Sequence, residues 1–132
     1  MGNITRNISR HEGACKCGCG FAVMDFRTVE VVQGVCDHIL GATGADRVIL
    51  HINSWCRCEE HNKNEGGEDD SYHLTGMAVD FWIEIIKDEH RSIIDPHLVY
   101  VYLNRKYAGQ FGIGKYKDFT HFDPRGGSPK RW

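Results

Sequence analysis

A chain of 132 residues, 41% apolar and 26% charged, is long enough to bury one core. Its formal net charge of −2 supplies no broad positive field for nucleic acid or anionic lipid, and no apolar run reaches membrane-spanning length. The opening MGNITRNISRHEG has no basic-then-apolar leader, so synthesis in the cytoplasm without a signal peptide is the expectation.

Residues 1–13 are polar and aperiodic and read as a flexible N-terminal arm, leaving 14–132 as a single domain. From Asp25 to Gly41 the residues Val29, Val32, Val35, Cys36, Ile39 and Leu40 recur at helical spacing, with Asp25 or Thr28 to cap the start and Gly41 to end it. Arg47 to Asn53 is short and β-rich and reads as a buried strand. Residues 54–72, SWCRCEEHNKNEGGEDDSY, read as a polar loop too hydrophilic for the core; loops of that length in a compact domain are usually functional or disordered. Met77 to Ile85 alternates as a strand, with Met77, Val79, Phe81 and Ile83 on one face and Asp80 on the other. Asp95-Pro96 opens a second helix through Tyr107, with Leu98, Tyr102, Val99 and Leu103 on its inner side. Gly112 to Tyr116 and Phe119 to Asp123 read as two short strands joined at Lys117-Asp118. The class is α+β, with a small, mainly antiparallel sheet packed against two main helices.

Of the six cysteines, Cys36 falls on the apolar face of the first helix and reads as a buried thiol. Cys15, Cys17 and Cys19 lie in CKCGCG, and Cys56 and Cys58 in CRC. The C-x-C spacing differs from the wider gaps usual in structural zinc sites. Free thiols, a second structural metal and disulfides all remain open, with free thiols favoured and the metal next.

The densest chemistry lies in Ser71-Tyr72-His73-Leu74-Thr75-Gly76-Met77-Ala78-Val79-Asp80. Gly76 lets the chain turn between His73 and the strand, so a loop imidazole and a strand carboxylate can converge. His121 on the last strand can join them, with Asp123 on the same face. Taken singly, a histidine is more often a surface or satisfied core residue. Taken together, two neutral imidazoles and one carboxylate suit a catalytic zinc: they cancel one of its two charges and leave a coordination position for water.

This pattern resembles the M15 family of zinc peptidases, the D-alanyl-D-alanine carboxypeptidase-like enzymes, and especially their compact bacterial and phage branch. The S-x-H-x-x-G-x-A-x-D motif is matched by Ser71, His73, Gly76, Ala78 and Asp80, and Ser54 to Arg57, Glu60-His61-Asn62 and Gly66-Gly67 are similar to further elements of that branch. CKCGCG and the ending, from Gly112 through Thr120-His121-Phe122-Asp123 to Arg131-Trp132, are similar too, so the resemblance spans roughly residues 13 to 132.

The resemblance implies a hedgehog/D-Ala-D-Ala peptidase-like fold and one catalytic zinc on His73, Asp80 and His121. It implies Asp118 as general base, in a position where many relatives carry Glu, with a plain turn residue as the mundane alternative. Asp123 becomes a support for a ligand histidine or an alternative base. Arg57 would stabilise the developing oxyanion or a substrate carboxylate, against the mundane alternative of an ion pair with Glu59, Glu60 or Asp70. Ser71 would hydrogen-bond the substrate, and His61 is not read as a ligand.

The implied activity is hydrolysis of peptidoglycan stem peptides by a monomer, as in a phage or prophage endolysin that reaches the wall by a holin-like route. An L-alanyl-D-glutamate or cross-bridge endopeptidase on the same site is the nearest alternative. A zinc-bearing binding module without turnover is the next.

Overall fold

The computed structural model describes residues 2–132, and Met1 lies outside the described residues. Helix α1 covers Arg10–Gly13 and helix α2 Phe26–Thr43; strand β1, Arg47–Ser54, follows, then helix α3, Glu59–Asn64. A 3-10 turn at Tyr72–Thr75 leads into β2, Val79–Lys87, and β3, His90–Ile93. Helix α4, Pro96–Lys106, is followed by β4, Gly112–Lys115, β5, Thr120–Asp123, and β6, Lys130–Arg131. The six strands form one sheet in the order β1-β2-β5-β4-β6, with β3 paired to β2 beyond the stretch that β5 occupies. Every pairing is antiparallel except β4 with β6. This is the α+β class that the periodicities predict.

Alternation in β2 comes out as the sequence implies: Val79, Phe81, Ile83 and Ile85 are buried, while Asp80, Trp82 and Glu84 stand half-buried on the other side. The buried face packs with Val29, Val32, Val35, Val99 and Leu103 from the two long helices in one core. Each such side chain contributes about 1.5–3 kcal/mol by leaving water. The sheet's other face is thereby left free to carry polar chemistry.

Helix boundaries follow their caps. Asp25 caps α2, its carboxylate accepting the Thr28 N–H at 3.1 Å. The helix runs past Gly41 to Thr43 and stops at Gly44, which takes the left-handed conformation at φ 65°. Asp95 caps α4 in the same way. Of the four residues expected on the inner side of α4, Val99 and Leu103 are buried and Tyr102 is half-buried, while Leu98 is exposed.

Two further expectations are corrected. The expected loose arm is packed down: Ile8 is fully buried in the core, the Asn7 amide donates to the Val48 carbonyl, and α1 carries a capping box between Ser9 and Glu12. The polar stretch 54–72 begins inside the protein, with Trp55 and Cys56 buried, and contains α3. Hydrophilic averages hide this because one tryptophan is enough to anchor a loop. Among the described residues no helix is long and apolar enough to cross a membrane.

Candidate metal centre

The register of the sheet assembles the first two ligand candidates. Asp80 on β2 and His121 on β5 are directly opposed partners, which brings their side chains together on the polar face. His73 arrives from the 3-10 turn, which Ser71 caps by accepting the His73 N–H at 3.2 Å. Gly76 ends that turn at φ 69°, and a Cβ there would meet the Val23 carbonyl at 2.1 Å. A glycine is therefore required twice over, by conformation and by space.

One ligand atom from each of His73, Asp80 and His121 lies within 4.8 Å of the others. His73 Nε2 is 3.3 Å from one Asp80 oxygen, and His121 Nδ1 is 2.7 Å from the other. A tetrahedral zinc with bonds of about 2.0–2.1 Å spaces its ligand atoms about 3.4 Å apart, so the donor set fits such an ion in size as well as chemistry. Both histidines have their second nitrogen occupied. His73 Nδ1 donates to the Trp55 carbonyl at 2.6 Å, and His121 Nε2 pairs with Asp123 at 2.8 Å. This outer layer fixes ring orientation and aims His73 Nε2 and His121 Nδ1 at the shared centre.

Charge is balanced around Asp80. Burial opposes its ionisation, but hydrogen bonds from His121 and His73 outweigh that and hold the carboxyl at about 2. His121 is likewise disfavoured as a cation by burial, yet Asp123 and Asp80 on its two nitrogens raise its pKa above the ordinary value. Asp123 is fully buried, and despite that burial the Arg125 fork, at 2.7 Å on each oxygen, and His121 keep it strongly ionised. Its position depends on Gly112, its partner across the β4–β5 ladder, where a Cβ would lie 2.7 Å from the carboxylate.

Arg57 stands at the rim of the cluster, its guanidinium 3.8 Å from Asp80. Ser54 Oγ and Asn62 Oδ1 accept from it at 3.1 and 3.3 Å, and its main-chain N–H donates to the His73 carbonyl. The mundane expectation of a surface pair with Glu59, Glu60 or Asp70 is thus not what forms. Asp118 sits exposed in the β4–β5 turn. Asp123, by contrast, has its oxygens committed to His121 and Arg125. His61 faces Glu65 at 3.9 Å and stays out of the cluster.

A cleft of about 380 Å³ opens beside His121 and Asp123, with Ser71, Tyr72, Arg125 and Trp132 in its wall and Glu68 and Asp70 at its edge. A larger cavity of about 600 Å³ lies between α2 and α4, but none of its lining residues belongs to the cluster. The smaller polar cleft is the one that reaches the cluster, through His121. Arg125 and the Trp55 carbonyl escape the sequence reading. Arg125 follows Asp123 by two residues, a spacing that was available as a signal; the carbonyl's role depends on tertiary placement alone.

The sequence model of the family described as Peptidase M15 matches residues 4–123 of the chain. No curated protein and no solved structure matches it significantly.

Proposed function

Because the chain belongs to the peptidase M15 family and is on that ground a metallopeptidase, we propose that it is a zinc enzyme hydrolysing peptide bonds in peptidoglycan stem peptides. The observation that carries this reading is the convergence of His73, Asp80 and His121 beside a polar cleft. Zinc held by these residues would supply a Lewis acid for the scissile carbonyl and would lower the pKa of a bound water.

The chain's own groups do the rest. Asp118 takes the proton of the attacking water and returns it to the departing amine, since Asp80 and Asp123 are committed elsewhere. Arg57 stabilises the negative charge that develops on the carbonyl oxygen, from a position already fixed by Ser54 and Asn62. Ser71 and the cleft wall orient the peptide. Asp123 holds the His121 ring against rotation.

The finer reading is a D-alanyl-D-alanine carboxypeptidase-like monomer that acts at the cell wall, of the endolysin kind. Mass spectrometry of fragments released from purified peptidoglycan tests it. Free D-alanine is the expected product; fragments ending at L-alanine would assign an endopeptidase. No release by the zinc-loaded protein would leave only a binding module.

A further inference from the structure

A second cluster lies outside this site. The sulfurs of Cys15, Cys17, Cys19 and Cys58 all lie within 4.8 Å of one another. Cys15 to Cys17 is 3.4 Å, Cys17 to Cys58 3.7 Å and Cys15 to Cys58 3.8 Å. We propose that these four thiolates hold a structural zinc ion that pins the CKCGCG loop to the start of α3.

The spacing supports an ion. Zinc–sulfur bonds of about 2.3 Å place the corners of a tetrahedron about 3.8 Å apart. A disulfide needs about 2.05 Å and would join sulfurs in pairs, not gather four around one centre. The short C-x-C spacing is accommodated because Gly18 and Gly20 take left-handed conformations, at φ 83° and 89°. They curl the loop, which the Cys15 N–H closes onto the Phe21 carbonyl at 2.7 Å. Three sulfurs from one tight loop can then face Cys58, distant in sequence.

Main-chain N–H groups already address the sulfurs. Those of Cys58 and His61 point at Cys15 Sγ and Cys58 Sγ, each at 3.4 Å. Such N–H donors stabilise thiolate charge and orient metal-bound sulfur. The other two cysteines are accounted for separately. Cys56 directs its thiol to the Gly13 and Phe21 carbonyls, and Cys36 is buried on α2. Four thiolates make a closed, electron-rich shell suited to holding structure, and a redox-silent ion suits a hydrolytic protein better than iron.

The site has a functional consequence through its neighbour. Cys58 directly follows Arg57, whose guanidinium leans on Asp80. Fixing Cys58 to the loop holds the main chain of Arg57 from one side, while its N–H on the His73 carbonyl holds the other. Cys58 is thus a positioning residue for Arg57.

This proposal stands apart from the peptidase reading, and the test separates the two. Full-length protein purified under reducing conditions is expected to carry two zinc ions by elemental analysis, and Asp80→Asn one. Cobalt(II) added to metal-stripped Asp80→Asn protein should give strong sulfur-to-cobalt charge-transfer absorption, absent in Asp80→Asn/Cys58→Ser. The cobalt spectrum uses intact cysteines, so it decides even if the serine variant fails to fold. Cys19→Ser in otherwise unaltered protein should keep one zinc and lower kcat more than it raises KM, as Arg57 loosens. Absence of the charge-transfer bands, a disulfide among these cysteines in the reduced preparation, or bound iron in place of zinc would overturn the proposal.

Discussion

His73 donates its Nδ1 proton to the main-chain carbonyl of Trp55 at 2.6 Å, and that bond decides which nitrogen can bind a metal. A carbonyl only accepts, so Nδ1 must carry a proton, which leaves Nε2, on the Asp80 side, as the nitrogen open to a metal. Trp55 is itself immobilised: its ring is fully buried, and its indole N–H donates to the Gly76 carbonyl at 2.7 Å. Trp55→Phe keeps most of the apolar contact and removes that bond, but the Gly76 carbonyl still accepts the Asp25 N–H at 2.9 Å, so the expected cost is about 0.5–1.5 kcal/mol. Urea unfolding of the metal-free variant measures the loss. An unchanged midpoint would show that the indole bond contributes nothing to the frame.

Asp118 and Asp123 should separate cleanly by mutation. Asp123→Asn keeps the shape but weakens the acceptor on His121 Nε2, so zinc affinity should fall about 10–100-fold in a chelator competition. Asp118→Ala touches no ligand; it should retain the metal and lower the hydrolysis rate about 10²–10⁴-fold, the usual contribution of a general base. Full activity of the Asp118 variant would shift the role to Glu68 or Asp70 at the edge of the cleft.

How much was legible follows from which forces act locally. The faces of β2 could be read because alternation is a local property, and Asp80 duly stands opposite the core. The caps Asp25 and Asp95 were accessible for similar reasons, from turn chemistry, and the set of His73, Asp80 and His121 through the resemblance that its motifs carry. What escaped depends on distant partners. Ile8 looks isolated in a polar arm, and only the assembled core makes it buried. Cys58 lies 43 residues from Cys15, so the four-sulfur cluster cannot be inferred from C-x-C spacing. On α4 the sequence offers Leu98 beside Val99 and Leu103, and only the packed sheet decides that Leu98 stays outside.

Gly76→Ala should be among the most damaging single-methyl additions. The left-handed backbone at φ 69° alone costs an L-residue about 1–2 kcal/mol. The new Cβ would also sit 2.1 Å from the Val23 carbonyl, where neither backbone segment can yield cheaply. Relief requires the 3-10 turn to move, and His73 with it. The thermal midpoint and zinc affinity should therefore fall together; a loss of stability with unaltered affinity would uncouple the turn from the metal centre.

The metal-free site should show its proton balance directly. Both nitrogens of His121 face carboxylates, an arrangement that needs the doubly protonated ring. Its folded pKa is raised above 6.5, so the stability it contributes is present below that value and is lost as pH rises through the folded pKa. Asp80 works in the opposite sense. Its pKa is lowered from 3.8 to about 2, so its contribution is present above 3.8 and is lost as pH falls toward 2. Stability of the metal-free protein should pass through a maximum between these limbs. Zinc requires neutral imidazole, so binding below the raised pKa must expel the His121 proton. Calorimetric titrations at pH 6 of protein whose cysteine cluster is already zinc-loaded, in buffers of different ionisation heat, should then give different apparent enthalpies, and the difference should shrink as pH rises. Equal enthalpies in all buffers would mean that His121 is already neutral, and the imidazolium bridge between Asp80 and Asp123 would have to be abandoned.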